Sequence, residues 1–227
     1  MKVKKIVLCV FMFFPLIAVL TALPFLPEQI PAHYDIDNQV TRWGSKYESL
    51  ILPAFSIAFG LFMLGMAKIC AKIEKTGKNN ENICIITGIV SLALFNAMTG
   101  YFLYTAYNKI ENLSSVKFDI NQPVFMVLGI SFIILGNIMP KLRMNSLIGL
   151  RTVWSMKNET VWKRSQRFGG ISLIITGAVI VLISCFAKGF TCTVLSLTAL
   201  AVCAFVDVFY TYKAAKKYSV NDNDKNL

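Results

Sequence analysis

The chain has 227 residues, of which 56% are hydrophobic and only 15% charged, and its mean hydropathy is +0.59. Soluble domains carry roughly 25% charged residues, and one of this length needs far more polar surface to cover its core, so an ordinary water-soluble globule is excluded and lipid is the natural solvent. The net charge of +11 comes from basic residues set between apolar runs, which reads as membrane topology rather than direct nucleic-acid binding.

A helix rises 1.5 Å per residue, so about 20 apolar residues cross about 30 Å of hydrocarbon. The first such run, Ile6–Leu26, follows Lys2, Lys4 and Lys5. It is read as a retained span. A cleaved signal peptide is the alternative, but the run is longer than the usual h-region of roughly 7–15 residues and no good A-x-A site follows.

The loop Pro27–Ser49 is the first polar region. Pro27 and Pro31 end the helix and stiffen its exit. Asp35, Asp37 and Asn38 are turn formers, and Asn38 suits a left-handed backbone. His33, Asp35 and Lys46 offer a polar recognition surface; a packed turn between two helices is the plainer reading, and composition alone favours it. The second and third spans are Leu50–Ile69 and Ile83–Tyr107, separated by Lys68, Lys72, Lys75 and Lys78.

The fourth span, Pro123–Met139, leads into Gly136–Gly170, too long for a simple hairpin and too apolar for a solvated linker. Leu147, Ile148, Leu150, Val153 and Trp154 suit the headgroup boundary, as does Trp162. Asn158 is placed to cap a helix that starts at Glu159 and runs into the fifth span. Two readings stand for this stretch: a basic anchor on anionic lipid, or a binding face centred on Arg151 with Asn137 and Asn145 beside it.

The fifth and sixth spans are Gly169–Ala187 and Thr191–Tyr212. Asp207 lies 16 residues beyond Thr191, about 24 Å along the helix. An intramembrane carboxylate is a functional-site hypothesis by default; an acid reaching inner-interface water or pairing with a basic loop residue is the structural alternative. Asn96 and Asn137 are weaker signals, since amides often bridge helices. The polar tail Tyr218–Leu227 is expected to be disordered.

The expected fold is an all-α polytopic bundle of six transmembrane helices. The residues divide into an N-terminal helical hairpin with its outer loop (1–80), a four-helix region with a basic inner loop (81–217) and the tail (218–227). Of the lysines and arginines, 18 fall on the side of the termini and 5 on the other, which makes both termini cytoplasmic.

Catalytic signals are missing. There is no GxSxG, HExxH or phosphate-cradling glycine loop. The six cysteines form no CxxC pair, and a single histidine, His33, supports no zinc pattern. Cys185 and Cys192 flank the last outer turn and have the option of a disulfide. No enzyme activity, cofactor or metal is expected.

Two stretches resemble a known family. Gly136-Asn137, Pro140-Lys141, Asn145, Gly149, Arg151-Thr152, Trp154, Asn158, Val161-Trp162, Arg167 and Gly170 resemble the signature of the SdpI family of bacterial membrane proteins. Leu26-Pro27, Ile30-Pro31, His33, Lys46 and Pro53 resemble the domain of unknown function that often precedes it. Val153 stands where the family usually has proline, Ser165-Gln166 where it has a Thr-His pair, and Asn38 where it has glycine. The resemblance implies a protein of the bacterial plasma membrane that protects its cell from a secreted peptide toxin. It also implies that some members signal, by holding a cytoplasmic repressor at the membrane. A small transporter or proton-coupled channel using Asp207 and Asn137 is the competing reading. The partners expected are the lipid bilayer, a toxin peptide and a repressor.

Cysteine labelling is expected to reach positions 37 and 117 from outside the intact cell, and positions 75, 157 and 225 only from within. Labelling of position 157 from outside would overturn the six-span arrangement.

Overall fold

The computed structural model describes residues 2–35, 37–73, 77–116, 119–145 and 148–218. Lys75, Lys117, Leu147, Lys225 and all of the expected tail except Tyr218 lie outside the described residues. Six helices are long and apolar enough to cross a membrane: α1 (Lys2–Ala22), α2 (Ile51–Ile73), α3 (Gly77–Tyr107), α4 (Asn121–Ile138), α5 (Glu159–Phe186) and α6 (Gly189–Tyr218). The chain is thus an all-α multi-pass membrane protein, and each span runs close to the apolar segment read for it. Tyr218 is the last residue of α6, one residue into the expected tail.

Large apolar side chains such as Phe14, Phe55, Phe62 and Phe205 are exposed. Water would penalise them; lipid solvates them, so the bundle needs no thick core. What holds helices together in lipid is close packing and interhelical hydrogen bonding. Both are present. Asn96 Nδ2 on α3 donates to the Phe11 carbonyl of α1 at 2.8 Å, as expected of a bridging amide. Ser56 Oγ on α2 reaches the Met12 carbonyl, and Gln122 Nε2 on α4 reaches the Ser184 carbonyl of α5 at 3.0 Å. At the end of the bundle that holds the N-terminus, Lys5 pairs with the buried Glu81 at 2.7 Å. Leu8 and Met12 of α1, Ala67 and Cys70 of α2, and Ile85 and Leu92 of α3 form one core. The domain break expected at residue 80 therefore falls within a helix, α3, that packs mainly on α1 and α2.

The closest helix pair is α4 with α5. Gly129 faces Gly177 and Gly136 faces Gly170, each pair in mutual contact through backbone: a Cβ on any of the four would lie 2.5–2.7 Å from the partner glycine's carbonyl oxygen. The spacing of seven residues on both helices repeats the contact after two turns. Without side chains at the crossing, the antiparallel backbones come close enough for extensive dispersion contact and Cα–H···O approaches.

The outer loop is not a plain turn between helices. It forms an antiparallel hairpin of β1 (Gln29–Tyr34) and β2 (Val40–Ser45), with bulges on either side of His33. All six cysteines are free thiols, so the disulfide considered for Cys185 and Cys192 is not formed.

Gly136→Ala forces a methyl into the Gly170 carbonyl. Overpacking of this kind costs about 1–3 kcal/mol, and a lower thermal midpoint in detergent is expected. Gly65→Ala, where a Cβ meets nothing within 4 Å, is the control. Equal midpoints for Gly136→Ala and wild type would show that α4 and α5 are not in glycine contact.

Candidate functional site

The connection between α4 and α5 is built by side chains that satisfy its own backbone. A 3₁₀ turn, Met139–Lys141, carries the chain off α4. Asn145, buried, folds onto its own loop: Nδ2 donates to the carbonyls of Arg143 (2.8 Å) and Ile148 (3.1 Å), and Oδ1 accepts from Ile148 N at 2.7 Å. Gly149 follows with φ +109°, a conformation open to glycine and strained for other residues. Leu150 is then held by a two-pronged amide contact. Gln166 Oε1 accepts from Leu150 N at 3.0 Å, and Gln166 Nε2 donates to Leu150 O at 2.9 Å. Gln166 is fully buried on α5.

Thr152 and Ser155 exchange backbone-to-hydroxyl bonds, 2.8 Å from Thr152 N and 3.0 Å from Ser155 N. Thr152 Oγ1 also donates to Thr211 Oγ1 of α6 at 2.9 Å. Asn158 caps α5 as its position foretold: Oδ1 accepts from Val161 N at 2.8 Å, while Nδ2 reaches the Tyr218 carbonyl at the end of α6. Trp154 sets its ring edge against Tyr212, with centroids 5.5 Å apart.

Several expected roles change. Trp162 does not lie at the headgroup boundary: it is 1% exposed, its indole N–H donates to the Leu142 carbonyl at 3.0 Å, and it packs among Ile83, Leu142, Met144 and Met156. Its polar atom is satisfied inside, so nothing draws it to the interface. Arg151 is exposed, with no hydrogen bond or ion pair among the described residues. Neither amide expected beside it holds it: Asn145 is spent on its own turn, and Asn137 is exposed on α4. Arg167 is exposed on α5. Together these place a rigid, self-satisfied loop against α5 and α6, with Arg151 and Val153 turned outward.

Asp207 sits under this loop. It is 7% exposed, and its Oδ1 has no hydrogen-bond partner among the described residues. The Cys203 thiol lies 3.8 Å from Oδ2, and the Ser172 hydroxyl is a further hydrogen-bond partner of the carboxylate. A Cβ at Gly169 would stand 2.9 Å from Met139, 3.0 Å from Leu150 and 3.6 Å from Asp207 Oδ2; the glycine leaves room for all three. Asp207 is one turn from Thr211, the residue that receives the loop through Thr152. Asp207 is buried and takes part in no ion pair among the described residues.

At the opposite end the hairpin roofs two cavities. One, about 640 Å³, is lined by His33, Tyr34, Asp35 and Asn38 from the hairpin and by Phe102, Asn121 and Thr193 from α3, α4 and α6. The other, about 340 Å³, lies between Ile30, Pro31, Arg42 and Glu48 and the tops of α1–α3. Asp35 Oδ1 accepts from the backbone N–H groups of Asp37 and Gln39, and Asn38 takes the left-handed conformation expected of it, φ 65°. The turn is pinned to the α3–α4 connection by Val40 N to Glu111 O and Leu113 N to Asn38 O. Tyr34 Oη donates to Ile110 O at 2.7 Å; burial pushes its phenol up, against an opposing hydrogen bond from Thr105, which keeps it a donor. His33 Nδ1 meets Thr41 Oγ1 at 2.6 Å. Lys46 lines neither cavity but pairs with Glu28 at 2.8 Å at the hairpin base.

Asp119 was not singled out from sequence. It is buried, accepts from Asn121 N and Gln122 N at the start of α4, and also accepts from Gly189 N at the start of α6. One carboxylate thus serves two helix N-termini, where a negative charge is favoured. An Asp just before the apolar run of α4 was the available signal. Among the described residues no group of three His, Cys, Asp or Glu side chains could hold a metal. The two ends of the bundle present a cavity roofed by the hairpin and a hydrogen-bonded loop between α4 and α5.

Residues 141–211 match the SdpI/YfhL protein family, and residues 10–57 match a domain of unknown function, DUF1648. The first match covers the α4–α5 loop, α5 and most of α6; the second covers α1 from residue 10 onward, the hairpin and the start of α2. The chain is 27% identical over 199 residues to the immunity protein SdpI of Bacillus subtilis (strain 168), covering 83% of this chain and 86% of that protein. No solved structure matches the chain.

Gln166→Leu removes the acceptor of Leu150 N–H and one of the two donors to its carbonyl, Ser155 Oγ remaining as the other; the N–H left without a partner costs about 1–3 kcal/mol. A fall in the unfolding midpoint is expected, with altered Trp162 fluorescence. Wild-type stability of the leucine variant would show that this amide does not hold the loop.

Proposed function

We propose that this chain, a member of the SdpI/YfhL family with a DUF1648 segment ahead of the family region, is an immunity protein that protects a bacterial cell from a secreted peptide toxin acting on its membrane. What carries the reading is its likeness to an immunity protein along most of both chains, through the hairpin and the inner loop alike. Both termini are cytoplasmic in this proposal, following the basic residues, so the hairpin and its cavities face the outside. A peptide arriving there meets a hydrogen-bonding rim, His33, Tyr34, Asp35 and Asn121, over an aromatic floor at Phe102 and Phe190. That combination suits a segment with a polar backbone and apolar side chains.

The inner loop is the proposed contact for a cytoplasmic partner, a repressor protein in a signalling branch of the function. Side chains of the loop and of α5 take up part of its backbone, and the exposed Arg151 and Val153 are the groups proposed to meet a partner. A guanidinium offers five donors in a planar fork that a lysine ammonium cannot reproduce. Asp207 connects this loop to the membrane interior, and its unpartnered oxygen is the observation that keeps a proton-coupled alternative in view. Asn137, the other residue such a pathway would use, is exposed on α4 and takes no part in the cluster around Asp207. The proposed role is binding, not catalysis.

The gene is deleted, and survival and membrane potential are followed with and without the peptides secreted by the producer. Loss of potential on deletion and its rescue by the wild-type gene are expected. Arg151→Lys and Asp207→Asn should rescue poorly at normal membrane abundance, and Lys157→Ala should rescue fully. Deletion without any change in sensitivity would overturn the immunity reading. Full rescue by Arg151→Lys or by Asp207→Asn would remove that residue from the site.

A further inference from the structure

The outward face of α5 carries Thr160, Lys163, Arg164 and Arg167 at helical spacing, one above another along the first two turns. They line a groove of about 560 Å³ between α5 and α6. Its wall is aromatic: Phe168 stacks flat on Tyr210 of α6, with centroids 3.8 Å apart and planes at 2°. Its membrane-ward end is Ile171, 51% exposed. Among the described residues no acidic side chain lines it.

The cations differ in how they are held. Arg164 is fixed over the Tyr218 ring, 4.1 Å from guanidinium carbon to centroid. Lys163 makes only an exposed contact with Glu159, at 3.4 Å and on side chains 73% and 76% exposed, an arrangement worth little in water. Arg167 has no ion pair among the described residues. Two mobile cations therefore stand over a rigid aromatic wall, with an apolar strip running on from them towards the hydrocarbon.

We propose that this groove binds the phosphate of an anionic phospholipid, its headgroup between Lys163 and Arg167 and one acyl chain along Phe168 and Ile171. At the end of a transmembrane helix the abundant anions are lipid phosphates, and basic pockets between helices suit their headgroups. The apolar continuation at Ile171 separates a lipid from free phosphate: only the lipid uses both ends of the groove. The site is separate from the proposed toxin cavity, which lies at the other end of the bundle, and it gives the exposed Arg167 a role that the inner loop does not. Binding here bridges α5 and α6 beside the Thr152–Thr211 contact, so an occupied groove stabilises the pair that carries the loop.

The full-length protein in a neutral detergent is titrated with phosphatidylglycerol, phosphatidylcholine and inorganic phosphate, with the thermal midpoint read at each concentration. A saturable rise with phosphatidylglycerol alone is expected. The concentration for half the rise should increase about thirty-fold in the doubly substituted Lys163→Gln, Arg167→Gln protein, the loss of two phosphate-facing cations. Both side chains are exposed, so the variant should fold as wild type, and Lys157→Gln, outside the groove, should titrate like wild type. An unshifted curve for the double variant would overturn the site, and equal stabilisation by inorganic phosphate would overturn the lipid assignment. Equal stabilisation by phosphatidylcholine would reduce the effect to general lipid solvation and overturn the proposal as well.

Discussion

Inside a bilayer every backbone N–H and C=O must find a partner within the protein, because no water is there to take its place. Helices meet this demand alone; the segments between them do not. The α4–α5 connection shows the same demand at the edge of the bundle, since it leaves the α-helical state while Thr152 bonds to α6 and Gln166 and Trp162 of α5 bond to it. Its answer is a set of side chains that imitate backbone: the Gln166 amide pairs with Leu150 as a neighbouring strand would, Asn145 closes its own turn, and Trp162 takes up the Leu142 carbonyl. The loop is rigid for this reason, and its rigidity is what makes an outward residue such as Arg151 usable as a contact.

The same constraint explains the glycines. Apolar side chains gain nothing by leaving lipid for one another, so helix association depends on contact area and on polar links. α4 and α5 answer with backbone contact at Gly129–Gly177 and Gly136–Gly170, and the end of that crossing is where the loop departs. The position of Met139 against Gly169, and hence the small space shared with Leu150 and Asp207, follows from that closeness. Within that space Asp207 Oδ1 has no hydrogen-bond partner among the described residues, which sets the carboxylate apart from the hydrogen-bonded groups of the loop above it.

At the opposite end of the bundle the problem is solved with a sheet fragment and a shared cap. The hairpin satisfies its own strands and borrows Glu111 and Leu113 to tie down its turn, while Asp119 serves the starts of both α4 and α6. The cavities beneath the hairpin exist because a two-stranded ribbon spans the helix tops without filling the space between them. Polar groups from the hairpin and apolar groups from α3 and α6 meet there, a combination neither element presents alone.

Hydropathy by itself determined the six spans and the all-α class, because the length needed to cross lipid is a one-dimensional property. Local chemistry likewise marked the Asn158 cap, the left-handed Asn38 and the bridging Asn96, each a matter of a residue and its near neighbours or of a polar group in an apolar run. Pairing across the fold was not legible. That Gln166 would serve Leu150, that Asn145 would face its own turn rather than Arg151, and that Trp162 would be interior depended on how closely α4 and α5 approach. Nor did the outer loop announce a hairpin: its prolines and turn formers fit a packed turn equally well, and strand pairing is decided by partners at a distance in the chain. Only the tertiary structure fixed these, because a polar side chain's role in a membrane is set by which unsatisfied group the packing brings within its reach.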